Sequence, residues 1–176
     1  MTRAMRRPLI VMTPKSLLRH RLATSSLEDL SEGRFLPVID EIDGIDPGKV
    51  TRLVLCAGKV YYDLLEARRE AELDTVAIVR IEQLYPFPYD EMNAVISRYP
   101  EVTSIVWCQE EPRNQGAWRS NRHRIERVLP GTVAGVEFAG REPSASPASG
   151  YMSEHLKQQK RLVQQALGLV ENDAAH

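Results

Sequence analysis

A chain of 176 residues is long enough to bury one sizeable core and too short to hold a complete large cofactor enzyme. Hydrophobic residues at 43% and charged residues at 27% are ordinary globular proportions, which exclude a disordered or fibrous protein. The net charge of -1 gives no bulk attraction to nucleic acid, and no run approaches the roughly 18 consecutive apolar residues of a membrane span.

The opening is basic, with Arg3, Arg6 and Arg7, and runs straight into Leu9-Ile10-Val11-Met12 without the core or cleavage site of a signal peptide. Leu9 to Met12 is the first predicted strand. Lys15, Arg19 and Arg21 extend a stretch of 22 residues that contains no acid. Ser31 to Lys49 combines Pro37, Gly44, Pro47 and Gly48 with the acids Glu32, Asp40, Glu41, Asp43 and Asp46, which predicts a long surface connection.

Arg52 to Cys56, Val76 to Arg80 and Ser104 to Cys108 are continuous apolar runs, as expected of strands buried on both faces, and Val136 to Ala139 makes a fifth strand. Between them lie helical patterns. Lys59 to Glu72 carries Val60, Leu64, Leu65, Ala67 and Ala71 on one stripe, with Arg68 placed to pair with Glu72. Asp90 is the predicted cap of a second helix whose Met92, Val95 and Ile96 face inward and which stops before Tyr99-Pro100. A third, Trp118 to Val128, is dense in arginine. The last, Met152 to Val170, presents Leu156, Val163, Ala166, Leu167 and Val170 on one side, ahead of a frayed tail from Glu171 to His176. Gly140 to Gly150 contains two prolines that forbid a regular ladder and small residues that allow close approach to another surface. The alternation of strands and helices predicts an α/β fold with a mostly parallel five-stranded sheet covered on both faces.

Walker loops, dinucleotide fingerprints, nucleophile elbows and metal-spaced Cys/His clusters do not occur in the sequence. The histidines His20, His123, His155 and His176 are scattered in polar or basic surroundings and read as exposed imidazoles. Cys56 and Cys108 end apolar runs and read as reduced, buried thiols, which fits a cytoplasmic protein. Glu110-Glu111 follows a strand at the carboxyl edge of the sheet, where α/β folds place functional groups. Adjacent carboxylates can shift one another's pKa, but adjacent residues leaving a strand point opposite ways, so salt bridging or loop anchoring is the expected role. Ala57-Gly58-Lys59 is a tight strand-to-helix turn. It is either the shortest route between elements or a place where free N–H groups and a cation meet a phosphate or carboxylate. The basic segments around Arg19 and from Arg113 to Arg127 make an anion site if they converge and solvated faces if they do not.

Several blocks carry a family resemblance. Pro8-Leu9-Ile10-Val11-Met12-Thr13-Pro14-Lys15-Ser16-Leu17-Leu18-Arg19-His20 resembles the opening of the C-terminal domain of the E1 component of 2-oxoglutarate dehydrogenase. Phe35 to Glu41, Gly58 to Leu64, Val79 to Pro88, Trp107 to Pro112, Asn114 to Trp118, and the late Gly140-Arg141, Ser144 to Ala148 and Gly150 to Met152 agree in order. The resemblance runs from about Arg7 to Leu169. Glu82-Gln83-Leu84-Tyr85-Pro86 is shared in looser form by transketolase-like C-terminal domains, whereas Gln109-Glu110-Glu111-Pro112 with Asn114-Gln115-Gly116-Ala117-Trp118 points to the oxoglutarate branch.

This resemblance implies a three-layer α/β/α domain of transketolase C-terminal type over residues 7 to 170. In the family, the intact E1 uses thiamine diphosphate and magnesium to decarboxylate 2-oxoglutarate and succinylates the lipoyl group of the E2 succinyltransferase. The cofactor ligands belong to two preceding domains, so this chain alone is expected to be inactive, a fragment or subunit that supports the E1 homodimer and its assembly with the remaining E1 domains. Actinobacterial members build an acetyl-CoA regulatory site partly from this domain. The candidates for such a site are Arg7, Arg19, Lys59, Gln109, Arg113 and Arg119. A free-standing CoA- or nucleotide-binding module is the alternative.

Overall fold

The computed structural model describes residues 8 and 10–169 and divides into two units, Met1–Gly33 and Arg34–His176. In the first, a 3-10 helix spans Lys15–Arg19 and a short helix, α1, spans Leu27–Ser31. Ser26 opens α1 with a capping box. Its Oγ accepts from the Asp29 N–H at 3.1 Å, and the Asp29 carboxylate accepts from the Ser26 N–H at 3.1 Å.

The second unit holds one sheet in the order β1-β3-β2-β4-β5. Its strands are β1 (Val38–Ile39), β2 (Arg52–Cys56), β3 (Val76–Ile81), β4 (Ser104–Pro112) and β5 (Val136–Arg141). β2 to β5 are mutually parallel, while β1 lies antiparallel on β3 with Val38 opposite Ile81. Four helices accompany them: α2 (Val60–Glu70), α3 (Tyr89–Ile96), α4 (Trp118–Glu126) and α5 (Met152–Leu167).

The pleat sorts the apolar runs into two cores. Leu53, Leu55, Ala77, Val79, Ile81, Ile105 and Trp107 project to one face and join Met92 and Ile96 of α3 with Trp118 and Ile125 of α4. The alternate residues Val54, Cys56, Ile78, Val106 and Cys108 are buried on the other face, which α2 and α5 cover. There Leu64 and Leu65 of α2 and Leu162, Val163, Ala166 and Leu167 of α5 are buried. Each such side chain contributes about 1.5–3 kcal/mol on leaving water. This is the α/β, three-layer arrangement expected from the runs.

Several local expectations are corrected. Ile10 to Met12 form no strand and are exposed, and Leu9 lies outside the described residues, as do Arg7 and residues 170–176. The fifth strand comes instead from Val38–Ile39, inside the predicted surface connection, because the open edge of β3 offers those two residues a ladder. Asp90 is in the first turn of α3 but does not cap it; Pro88 occupies that position. Arg68 turns away from Glu72 to Glu41 and Asp43. Leu156 is 60% exposed, and the buried stripe of α5 begins with Leu162. His20 and His155 are half-buried, while His123 is exposed.

Cys56 and Cys108 stand opposite one another in the β2–β4 register, both fully buried. Burial pushes both thiols well up from their ordinary value, so neither forms thiolate at neutral pH. An aromatic disulfide reagent is therefore expected to titrate neither cysteine in the native protein and both in guanidinium. Stoichiometric labelling without denaturant would contradict the packing.

Candidate functional site

After β3 the chain passes β2 to form β4, so α2 after β2 and α4 after β4 leave on opposite faces. The carboxyl ends of β2 and β4 are the switch point at which open α/β sheets hold ligands. The β2 side of this crevice is Ala57-Gly58-Lys59. Gly58 has φ of 77° and open space where a side chain would stand, a conformation that favours glycine.

On the β4 side, the strand runs on to Pro112, and its register with β5 shifts between Cys108 and Pro112. Glu111 is exposed. Glu110 faces α2 and α5, where its carboxylate pairs with the Lys59 ammonium. The same Glu110 oxygen accepts from Gln159 Nε2 at 2.9 Å, and that nitrogen also donates to Asp63 Oδ2 at 2.7 Å. Gln159 Oε1 accepts from the Arg141 guanidinium at 3.1 Å, and His155 Nδ1 lies 3.1 Å from the same Arg141 nitrogen. Side chains from the β2 turn, α2, β4, β5 and α5 thus form one chain of contacts with two cations and two carboxylates. Each acid already accepts a donor, so the network fastens the layer rather than presenting a free acid or base.

On the opposite face, Gln109 organises the loop into α4. Its Nε2 donates to the carbonyls of Glu111 at 3.2 Å, Pro112 at 3.2 Å and Gln115 at 2.8 Å. Its Oε1 accepts from Trp107 Nε1 at 2.9 Å and from the Trp118 N–H at 3.0 Å. Gly116 turns the loop with φ of 64°, and a Cβ there would lie 2.8 Å from Gln109 Nε2. Beyond it, Asn114 Nδ2 and Gln115 Nε2 both donate to the Ser144 carbonyl at 2.9 Å, and the Ser144 N–H donates to Asn114 Oδ1 at 3.0 Å. The sequence blocks around Gln109, Asn114 and Ser144 are therefore three parts of one interlock.

The expected effector residues have different local surroundings. Arg19 is exposed in the first unit, and Arg7 lies outside the described residues. Lys59 is half-buried against Glu110, and Gln109 is 3% exposed inside the interlock. Arg113 and Arg119 are exposed, the former with its guanidinium 5.5 Å from the centre of the Phe138 ring. From sequence His155 reads as an exposed imidazole and Arg141 as part of a motif block, and neither they nor Asp63 and Gln159 are site candidates. Their only local signal is the four-residue spacing of His155 and Gln159 on α5, because Gln159 and Asp63 meet across 96 positions.

Comparison with known proteins places this architecture. The family model for the 2-oxoglutarate dehydrogenase C-terminal region matches residues 24–167. The E1 component of 2-oxoglutarate dehydrogenase from Haemophilus influenzae (strain ATCC 51907 / DSM 11121 / KW20 / Rd) is 58% identical over 94% of this chain, and that from Azotobacter vinelandii is 54% identical over 93%. The chain spans 18% of the length of each of these relatives. Among solved structures, a split-gene transketolase described as an inactive beta4 tetramer superposes with a TM-score of 0.52 at 19% identity, over 77% of this chain and 43% of its own. The last similarity concerns the fold alone. With its interlocked motifs and a family match over most of its length, the chain belongs to the 2-oxoglutarate dehydrogenase C-terminal family.

Proposed function

We propose that this chain is the C-terminal domain, over residues 7–170, of a cytoplasmic 2-oxoglutarate dehydrogenase E1 component, and that it serves folding and assembly while catalysis resides in the other parts of the protein. The family match over residues 24–167, on relatives of which the chain spans 18%, carries this reading. The intact E1 then decarboxylates 2-oxoglutarate with thiamine diphosphate and magnesium and passes the succinyl group to lipoyl-bearing E2 dihydrolipoyl succinyltransferase. Its partners are the remaining E1 domains, a second E1 and E2.

In this reading the cofactor is held by the other parts of the protein. Asp63 and Glu110 are engaged by Gln159 and Lys59, and among the described residues no group of three or more His, Cys, Asp or Glu is placed to hold a metal ion. What this chain contributes is a rigid carboxyl edge, held by the Lys59–Glu110–Gln159 network, and the Gln109 interlock behind it.

The deciding experiment combines the chain with a polypeptide carrying the absent four-fifths of E1. Expected results are no 2-oxoglutarate decarboxylation by the chain alone, a stable complex on mixing or coexpression, and thiamine-dependent turnover of that complex. Turnover by the isolated chain, or no association under any of these conditions, would overturn the assignment. Within the same reading, Arg113 and Arg119 are the exposed members of the effector set in this unit. Regulation by acetyl-CoA through them predicts that Arg119→Ala abolishes activation of the reconstituted enzyme and leaves its basal rate unchanged.

A further inference from the structure

The first unit has local order without a core. Hydrogen bonds close its turns from within: the His20 N–H donates to the Leu17 carbonyl at 3.2 Å, the Ala23 N–H to the His20 carbonyl at 3.1 Å, and the Glu32 N–H to the Glu28 carbonyl at 2.8 Å. Yet none of its described residues is buried. Ile10, Val11, Met12, Leu18, Leu27 and Leu30 are 66–91% exposed. Single apolar side chains on a surface are ordinary, but six within 21 positions are a concentration of the kind that marks an interaction surface. In the second unit the same residue types fill both faces of a sheet.

Such a segment gains little from its own helix. Isolated helices shorter than about 12–15 residues are marginal in water, and helical order in proteins comes mostly from packing of an apolar face. The helix α1 has five residues, and its Leu27 and Leu30, three positions apart, lie on one side of it. Charge adds a second character. From Ile10 to Ala23 the segment carries Lys15, Arg19 and Arg21 and no acid, and all three cations are exposed.

Two observations point to the surface that receives it. The relative that is 58% identical matches over 165 residues, more than residues 24–176 contain, so the similarity continues into the first unit, ahead of the C-terminal family region that begins at residue 24. That match covers 18% of the relative and is its C-terminal region, so the bulk of such an E1 precedes the first unit along the chain. A surface tethered so closely meets the segment at high effective concentration.

We propose that the first unit is a docking segment for the preceding part of E1. Ile10 to Met12, Leu18, Leu27 and Leu30 bury against an apolar surface there, and Lys15, Arg19 and Arg21 meet carboxylates at its border. This rests on the E1 reading above and names the surface through which that complex forms.

Binding of the full 176-residue chain to a polypeptide carrying the absent four-fifths of E1, followed by biolayer interferometry, tests it. Val11→Asp with Met12→Asp, and separately Leu27→Asp with Leu30→Asp, are each expected to raise Kd tenfold or more, because burial of one such side chain already contributes about that factor. Melting temperatures of the isolated variants should match the parent's, since all four side chains are exposed. Lys15→Glu with Arg21→Glu is expected to weaken binding severalfold at low salt and less at high salt; an unchanged Kd at low salt would strike the acidic border from the proposal. If the parent binds and both apolar pairs bind equally well, the docking segment is overturned while the E1 assignment stands. If the parent itself forms no complex, both fall. Sedimentation of the chain alone covers the other occupant: a dimer that Leu27→Asp with Leu30→Asp splits would put a second copy on this face and overturn the proposal.

Discussion

Gln109→Leu is expected to lower the unfolding free energy by about 4 kcal/mol, out of the roughly 5–15 kcal/mol typical of a domain. Leucine matches the volume of glutamine and restores none of its five hydrogen bonds. Trp107 Nε1 and the Trp118 N–H, both on buried residues, lose their acceptor. The carbonyls of Glu111, Pro112 and Gln115 lose their donor, and of these Pro112 is itself buried. A buried polar group left without a partner costs about 1–3 kcal/mol, while carbonyls nearer the surface regain water. Gln109→Glu keeps an acceptor for the tryptophans but turns an oxygen toward three carbonyls, so it should be nearly as damaging. Gly116→Ala attacks the same contact from the other side, through its positive φ and the close approach to Gln109 Nε2. Urea denaturation of the three variants is the check. An unchanged midpoint in Gln109→Leu would show that the loop into α4 is held by something else.

Arg68→Met is expected to cost about 3–5 kcal/mol, the range for breaking a buried ion pair by removing one partner. β1 pairs only two residues of β3, so the β3 edge continues without a strand partner. Side chains complete it. Glu41 Oε2 accepts from the Ile78 N–H at 2.9 Å, and Arg68 donates to the Val76 carbonyl at 3.2 Å and lies 2.9 Å from Glu41. With the Glu41 side chain 5% exposed, removal of the guanidinium strands a carboxylate inside the protein. Arg68→Met combined with Glu41→Met should recover part of the loss, although the Ile78 N–H then lacks an acceptor. Thermal melts of the single and double variants separate these contributions.

The same cluster predicts acid sensitivity. Asp43 receives Arg69 at both oxygens, at 2.8 and 2.6 Å. The hydrogen bond from Arg69, with the charges of Arg69 and Arg68, holds its carboxyl below the ordinary 3.8 in spite of opposing burial. A carboxyl whose pKa is lowered by folding contributes stability that is complete above its unfolded value and is lost as pH falls through the folded one. The melting temperature should therefore decline as pH drops below about 3.8, and Asp43→Asn should lack this part of the decline.

The parts of the fold that were legible in sequence are those whose environment is uniform along the chain. β2, β3 and β4 are continuous apolar runs because both faces of each strand are covered, and the α2 pattern repeats because one stripe meets one sheet face. Ile10 to Met12 show the limit of that signal. Apolarity marks a residue that would gain from burial but does not provide a neighbouring strand edge. Val38–Ile39, too short to stand out, found such an edge on β3. The acids of the same segment look like surface residues in composition, yet Glu41 is buried because Arg68 and the Ile78 N–H await it.

The candidate site divides in the same way. Gly58, Lys59 and the two glutamates are recognisable from their place at the end of apolar runs. By itself the sequence determined the class of fold, the main strands and helices, and, through its motif blocks, the family. The tertiary structure alone decided which charges neutralise one another: Lys59 with Glu110, and Arg68 with Glu41 and Asp43. Burial patterns follow from local periodicity, whereas the partner of a long polar side chain is whatever the packing of distant elements brings within about 3 Å of its tip.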